Sequence, residues 1–285
     1  MKRFLGASIG VLAFVSCRNV PDPSFTQLLE ARRLAADLHV QFIKASNASD
    51  RAVLADTDAE SVAFAKQAEA ATQSVRTGLA ELGSALQRLG YGNETRLLDE
   101  LTKRFADYAK VDQQVLTLAV ENTNLKAQRL SFGPVREAAD AFGQRLDRVV
   151  EGAPARERVR VEAQTERALL AVREVQVLQA PHIAEADDVA MGKLEQEMTE
   201  KQSAARAALK SLAGVSPQET LDAAAAALDR FDKLSAELLA LSRRNTNVKS
   251  LALSLKPKPA LTAACDATLV ALEDALAKRG FAGTR

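Results

Sequence analysis

Asn122-Thr123-Asn124-Leu125-Lys126 recurs as Asn245-Thr246-Asn247-Val248-Lys249, an offset of 245 − 122 = 123 residues. Both copies continue in register, to Leu130-Ser131 and Pro134 in the first and to Leu253-Ser254 and Pro257 in the second. The same offset pairs Leu98-Asp99 with Leu221-Asp222, Tyr108 with Phe231, and Leu86 and Leu89 with Leu209 and Leu212. The breakers obey it too. Asp56-Thr57-Asp58 falls on Gln179-Ala180-Pro181, Gly90-Tyr91-Gly92-Asn93 on Ala213-Gly214-Val215-Ser216, and Ser131-Phe132-Gly133-Pro134 on Ser254-Leu255-Lys256-Pro257. Self-similarity at a fixed period marks a duplicated structural unit, so the chain reads as two modules joined near Gly152-Ala153-Pro154.

Each module holds four helical stretches: 24–56, 58–89, 94–130 and 134–151, then 154–180, 182–212, 217–254 and 258–279. In the second stretch Ala65, Ala68, Thr72, Val75, Leu79, Leu82, Leu86 and Leu89 step by alternating threes and fours, the seam of a packed helix. Thr57-x-x-Glu60 reads as a capping box, and Ser216-Pro217-Gln218-Glu219 as another with Pro at the first helical position. Short connections make neighbouring helices antiparallel. The expected fold is all-α: two tandem up-and-down antiparallel four-helix bundles related by the 123-residue repeat, spanning 24–152 and 153–285.

Composition agrees with a helical fold. Of 285 residues 47% are hydrophobic but only 4% aromatic, with no Trp, so the core falls to Ala, Leu and Val. Gly 13 and Pro 8 are few for the turn chemistry of a sheet protein. Lys+Arg 38 against Asp+Glu 37 carries no bias toward a polyanion, so no nucleic-acid partner is expected. Arg156, Arg158, Arg160 and Arg167 cluster, but Glu157, Glu162 and Glu166 lie among them, as on a solvated, ion-paired face.

The N-terminus reads as an address. Met1-Lys2-Arg3 precedes an apolar run over residues 4–15 and then Ser16-Cys17, the pattern of a secretory signal. The run is too short for a bilayer, which takes roughly 20 residues. Phe14-Val15-Ser16-Cys17 resembles a bacterial lipobox, which implies that Cys17 is acylated and becomes the mature N-terminus. A conventional signal peptide cut near the same point is the alternative. Arg18 in place of Asp resembles outer-membrane sorting, so the expected location is the periplasmic or cell-surface side, lipid-anchored. Residues 1–23 then comprise signal and tether, ending in Pro21-Asp22-Pro23. With Cys17 lipidated, Cys265 is left without a disulfide partner and reads as a small buried hydrophobe.

Ala52-Val53-Leu54-Ala55-Asp56-Thr57-Asp58-Ala59-Glu60-Ser61 followed by Phe64-Ala65 resembles the first turn of the four-helix-bundle periplasmic sensor domains of methyl-accepting chemotaxis proteins. Asp112-x-x-Val115-Leu116-x-Leu118-Ala119, leading into Asn122-Thr123-Asn124-Leu125-Lys126-Ala127, resembles them too. The resemblance covers nearly all of the first module and reaches the second through Asn245-Thr246-Asn247-Val248-Lys249-Ser250. It implies a ligand-binding bundle working as a dimer, here built as an internal pseudo-dimer or as a homodimer. The arginine cluster that grips a carboxylate in amino-acid receptors has no counterpart here, and the expectation is a sensor-like bundle without the transmembrane and signalling parts of those receptors.

Asn122 and Asn245 fall at heptad a, in line with Leu101, Tyr108 and Val115 and with Phe231 and Leu238. Val111, Leu118 and Leu125, and Leu234, Leu241 and Val248, fall at d. An Asn on an apolar seam fixes register and partner choice, or it contacts a ligand or the other module. Lys126 and Lys249, one turn on, are candidates to meet an anionic ligand, or else solvated flank positions. His39 and His182 are unrelated by the repeat. No metal motif, haem box or nucleophile elbow occurs, so no metal, cofactor or catalytic residue is expected. The expected function is an exported, non-catalytic, sensor-like protein that recognises a small molecule or a protein partner. The alternative is a helical spacer with no small ligand.

Overall fold

The computed structural model describes residues 23–279. The signal segment, Cys17 and most of the tether lie outside the described residues. Among these the chain forms ten α-helices and one π turn, with no strand.

α1 (Pro23–Leu54) and α2 (Asp58–Leu89) form a hairpin. Pro23 opens α1, where its missing N–H costs nothing. Thr57 caps α2: its hydroxyl accepts from the Glu60 N–H at 3.2 Å and donates to the Glu60 carboxylate at 2.9 Å. Gly90, at φ 68°, ends the helix in a left-handed cap, its N–H on Gln87 O and that of Tyr91 on Leu86 O.

The third expected helix is broken where the sequence shows no breaker. α3 (Gly92–Glu121) stops at Asn122, which sits left-handed at φ 49°, and α4 (Thr123–Leu130) starts straight after it. Ser131-Phe132-Gly133-Pro134 is not the expected turn. Residues Ser131–Val135 form a π turn that leads directly into α5 (Arg136–Glu151). The wider π winding accommodates the ring and missing N–H of Pro134, which would otherwise end an α-helix.

The second half repeats the scheme. α6 (Arg158–Ala184) and α7 (Asp188–Lys210) form a hairpin, and α8 (Gln218–Arg244) stops at a left-handed Asn245, φ 54°. Then come α9 (Thr246–Leu255) and α10 (Pro257–Arg279). Two expectations are corrected here. α6 runs through Pro181 to Ala184, and its last turns bury Gln179, His182 and Ile183. The real turn lies at 185–187, with Asp187 capping Ala190 N–H at 2.8 Å. Ser216 does not cap α8, because the helix starts at Gln218 and Pro217 takes the cap position.

Since neither 131–135 nor 256 reverses the chain, residues 92–151 and 218–279 make two long rods of about 90 Å contour at 1.5 Å per residue. They pass antiparallel: α3 lies against α9 and α10, and α4 and α5 against α8. One core is enclosed by α1, α2, α3 and α10, with Leu38, Phe42, Leu82, Tyr108 and Leu272 inside. A smaller cluster continues it toward the α1–α2 turn. The other core lies among α4 to α8, around Phe142, Val172, Met198 and Phe231. A division at 152/153 therefore does not separate the cores, since α5 belongs with the later helices and α10 with the earlier ones. α1 and α6 do not face each other: α1 packs on α2, α3, α9 and α10, and α6 on α4, α5, α7 and α8.

The buried seams are also shifted by one residue from the heptad reading. Tyr108, Asp112, Val115, Ala119 and Asn122 are buried in the first rod, and Phe231, Ser235, Leu238, Ser242 and Asn245 in the second. The expected d residues, such as Val111 and Leu118, are half-buried.

α10 is fastened at its C-terminal end and along its middle. Arg279 forks onto Glu94 with two bonds of 2.8 Å, which hold that carboxyl below its ordinary range although burial opposes this. His39 of α1 places Nε2 2.8 Å from Asp266 and Nδ1 3.2 Å from Glu273. Burial works against its charge, but the two carboxylates outweigh it and raise the pKa above 6.5. A raised histidine pKa stabilises fully below pH about 6.5, and the contribution is lost as pH rises through the raised value. Wild type should therefore lose up to about 1 kcal/mol more stability than His39→Gln between pH 6 and pH 8.5. Urea unfolding of both proteins at the two pH values measures this, and equal losses would show that the pair contributes nothing.

Candidate functional site

The two Asn-Thr-Asn segments meet where the rods cross. Thr123 N–H donates to Thr246 Oγ1 and Thr246 N–H to Thr123 Oγ1, both at 3.1 Å. Asn124 N–H reaches Asn247 Oδ1 at 3.1 Å and Asn247 N–H reaches Asn124 Oδ1 at 3.2 Å. Asn124 Nδ2 donates to Asn245 Oδ1, and Asn247 Nδ2 to Asn122 Oδ1, each at 2.8 Å. These are the N–H groups that a helix leaves unpaired in its first turn. Each restarting helix thus has its first donors satisfied by the other segment's side chains. Asparagine suits the break because it tolerates the left-handed region better than other residues with a side chain.

The structure brings the four sequence candidates together here, in different roles. Asn122 and Asn245 are buried acceptors within the clasp. Lys126 Nζ donates to Glu121 O at 2.8 Å and Lys249 Nζ to Arg244 O at 3.0 Å, each closing the end of the preceding helix. Lys126 also lines an open groove of about 680 Å³, but the other cations of that groove are engaged, Arg129 with Asp58 and Arg244 with Glu121. The clasp is not symmetric throughout. Asn245 Nδ2 donates to Glu185 O at 2.8 Å, whereas Asn122 Nδ2 is buried without a partner.

A second site was missed from sequence. Lys258 is only 2% exposed, and its ammonium is surrounded by Ser49 Oγ at 2.7 Å, Asp50 Oδ1 at 2.8 Å, Asp112 Oδ1 at 3.1 Å and Ser46 O at 3.5 Å. That is more acceptors than it has protons, and Asp112 Oδ1 faces it as a charge without a hydrogen bond. The Tyr108 hydroxyl is buried beside Ser46 and Asp112 but meets neither in good hydrogen-bond geometry. Burial and the Asp112 charge push its pKa far up. Against this cluster lies a cavity of about 360 Å³ between α1 and α10, lined by Phe42, Ser46, Asp50, Ser254, Lys258 and Thr262. The Oγ of Ser254 is a further buried atom without a partner.

The residues 123 positions away carry no buried charge; Asp50 corresponds to Arg173, which is partly exposed and pairs with Asp140 at 2.7 Å. Val135 stands for Lys258, Ser235 for Asp112 and Phe231 for Tyr108. Ser131, which stands for Ser254, donates to Gln179 at 2.7 Å, and Gln179 donates to Ser235 at 3.4 Å. One end thus has a neutral, satisfied network where the other has an ionic cluster with orphaned hydroxyls. The tyrosine-phenylalanine difference at 108 and 231 was the visible signal. The packing of α10 in the early core, which carries Lys258 there, was not visible.

His182 is fully buried, with Nδ1 2.8 Å from Ser242 Oγ and Nε2 2.9 Å from Glu195, which Arg243 grips at 2.6 and 2.8 Å. The spacing is that of a Ser-His-Glu row. Yet Ser242 and His182 are both fully buried, so no substrate reaches the hydroxyl, which also has the His182 carbonyl as a competing acceptor at 3.1 Å. The Cys265 thiol is buried, which raises its pKa to about 11. Among the described residues no group of three His, Cys, Asp or Glu side chains is placed to hold a metal ion, and no helix is long and apolar enough to cross a membrane. A larger open groove of about 610 Å³ between α2 and α3 has an apolar floor of Leu79, Phe105 and Ala109, with Arg76 and Lys110 among its lining residues and no orphaned buried atom. No family model matches the chain, and no curated protein or solved structure matches it.

Proposed function

We propose that the chain is an exported, lipid-anchored, non-catalytic binding protein of the chemoreceptor-sensor type. It is built from two duplicated four-helix bundles that have exchanged their fourth helices. The observation that carries the reading is the ligand-sized cavity set against the Lys258–Asp50–Asp112 cluster in one core. Pockets with a few convergent polar groups on an otherwise apolar wall are the usual form of small-molecule sites. The 123-residue sequence correspondence and the reciprocal clasp support the duplication. The basic, apolar and lipobox-like N-terminus supports export and anchoring through Cys17 to a membrane, on the periplasmic or cell-surface side. The closed Ser242–His182–Glu195 row supports a non-catalytic role. Small-molecule binding would work within a monomer whose two halves act as a pseudo-dimer.

The spacer reading draws on a different observation, the two rods of about 90 Å contour. A thermal-shift screen of residues 18–285 against amino acids, organic acids, amines and purines separates the two. A ligand at 100 times its Kd stabilises the folded state by about 2.7 kcal/mol. A saturable shift that Ala263→Leu abolishes is expected, because Ala263 lines the cavity and is exposed. No shift from any class would leave the spacer reading standing in its place.

A further inference from the structure

The cavity beside Lys258 has a chemical preference that its polar atoms define. We infer that it takes a small organic cation, a primary ammonium carried on an apolar body. This rests on the binding-protein reading above and names the ligand class of the same site.

An anion in this cavity would need a free cation, and the cations are spent; the donors left on the wall are neutral, the Asn47 amide and the Ser254 hydroxyl among them. Lys258, the one ammonium on the wall, has four acceptors around three protons. The Thr262 hydroxyl donates to the Lys258 carbonyl at 3.0 Å. The acceptors are in surplus. Asp50 and Asp266 line the cavity, Asp112 stands behind Lys258, and Glu273 shares His39 with Asp266. Four carboxylates thus face two basic groups, Lys258 and His39, so even with His39 protonated the surroundings carry net negative charge. An ammonium entering here gains Asp50, and the orphaned Ser254 Oγ gains a donor. Phe42 on the floor and Ile43, Pro259 and Ala263 on the walls provide the surface for an apolar body, and the aromatic face favours a cation near it. A volume of about 360 Å³ lies near the lower bound of ligand pockets, so the body is small.

The test titrates the full chain, by calorimetry, with three probes of one shape: 2-phenylethylamine, 2-phenylethanol and 3-phenylpropionate. Saturable binding of the amine is expected, at least tenfold tighter than either of the others. Asp50→Asn should weaken the amine tenfold or more, and Ala263→Leu, which fills the cavity without touching the ionic cluster, should abolish binding. Circular dichroism of each variant confirms that it is folded. Propionate binding as well as the amine, or amine binding unmoved by Asp50→Asn and Ala263→Leu, overturns the cationic ligand class at this cavity. Silence of all three probes, with a shift from another class in the broad screen, overturns the ligand class and leaves the binding reading in place. Silence in both experiments overturns both.

Discussion

Asn124→Ala is expected to be among the most destabilising single changes in the chain, at about 3–5 kcal/mol. Its side chain accepts from Asn247 N–H and donates to Ile183 O and Asn245 Oδ1, at 3.2, 2.7 and 2.8 Å. Removing it leaves three buried partners unmet, each costing about 1–3 kcal/mol, the carbonyl least. Asn247→Ala should cost less, about 2 kcal/mol, because Asn247 is half-buried and holds only Asn124 N–H and Asn122 Oδ1. The break itself gives a separate signature. At φ 49° an alanine at 122 adds left-handed strain of about 1–2 kcal/mol, and a glycine does not, so Asn122→Gly should be the milder of the two. Urea unfolding followed by circular dichroism measures all four variants. An Asn124→Ala loss below about 1 kcal/mol would mean that water replaces the clasp at little cost. In the clasp variants the two cores should also melt in separate steps, since the crossing of the rods couples them.

What the sequence displayed and what it hid divide along the line between local and distant causes. Thr57, Gly90 and the three-four stepping of Ala65 to Leu86 act within one or two helical turns, and the structure has α2 where they put it. The depth of Asn122 and Asn245 was also legible, because a polar residue in line with Leu101 and Tyr108 or with Leu238 shares their burial. Their left-handed conformation was not. It depends on partners 123 residues away that supply the restarting helices with acceptors. Ser131-Phe132-Gly133-Pro134 misled for a similar reason. Its residues favour a turn, but a helix that widens to a π turn can carry a proline, and packing against α8 rewards continuing. That one outcome sends α5 to the far core, and its counterpart at Lys256-Pro257 sends α10, with Lys258, to the near one. Lysine is the residue least expected inside a protein. Asp50, Ser49 and Asp112, from two other helices, are what put it there.

Breaking that cluster should show its energetic character. Lys258→Ala leaves the Asp112 carboxylate, 3% exposed, buried and uncompensated, which costs about 3–5 kcal/mol. Asp112→Ala costs less, because Lys258 keeps Asp50 at 2.8 Å. The other core shows an alternative solution, with Val135, Ser235 and Phe231 at the matching places. The triple variant Lys258→Val, Asp112→Ser, Tyr108→Phe copies it and removes both members of the buried pair at once. Asp50, whose side chain is 52% exposed, then keeps its hydration. Replacing a buried ion pair by apolar residues is often neutral or stabilising, so the triple variant is expected within about 1 kcal/mol of wild type, far above Lys258→Ala. Thermal unfolding of wild type and the three variants at one pH tests the order. A triple variant as unstable as Lys258→Ala would show that the two cores are not interchangeable in packing. A triple variant that is stable yet has lost ligand binding would separate the two roles: a core that folds without its charges retains them for what enters the cavity beside them.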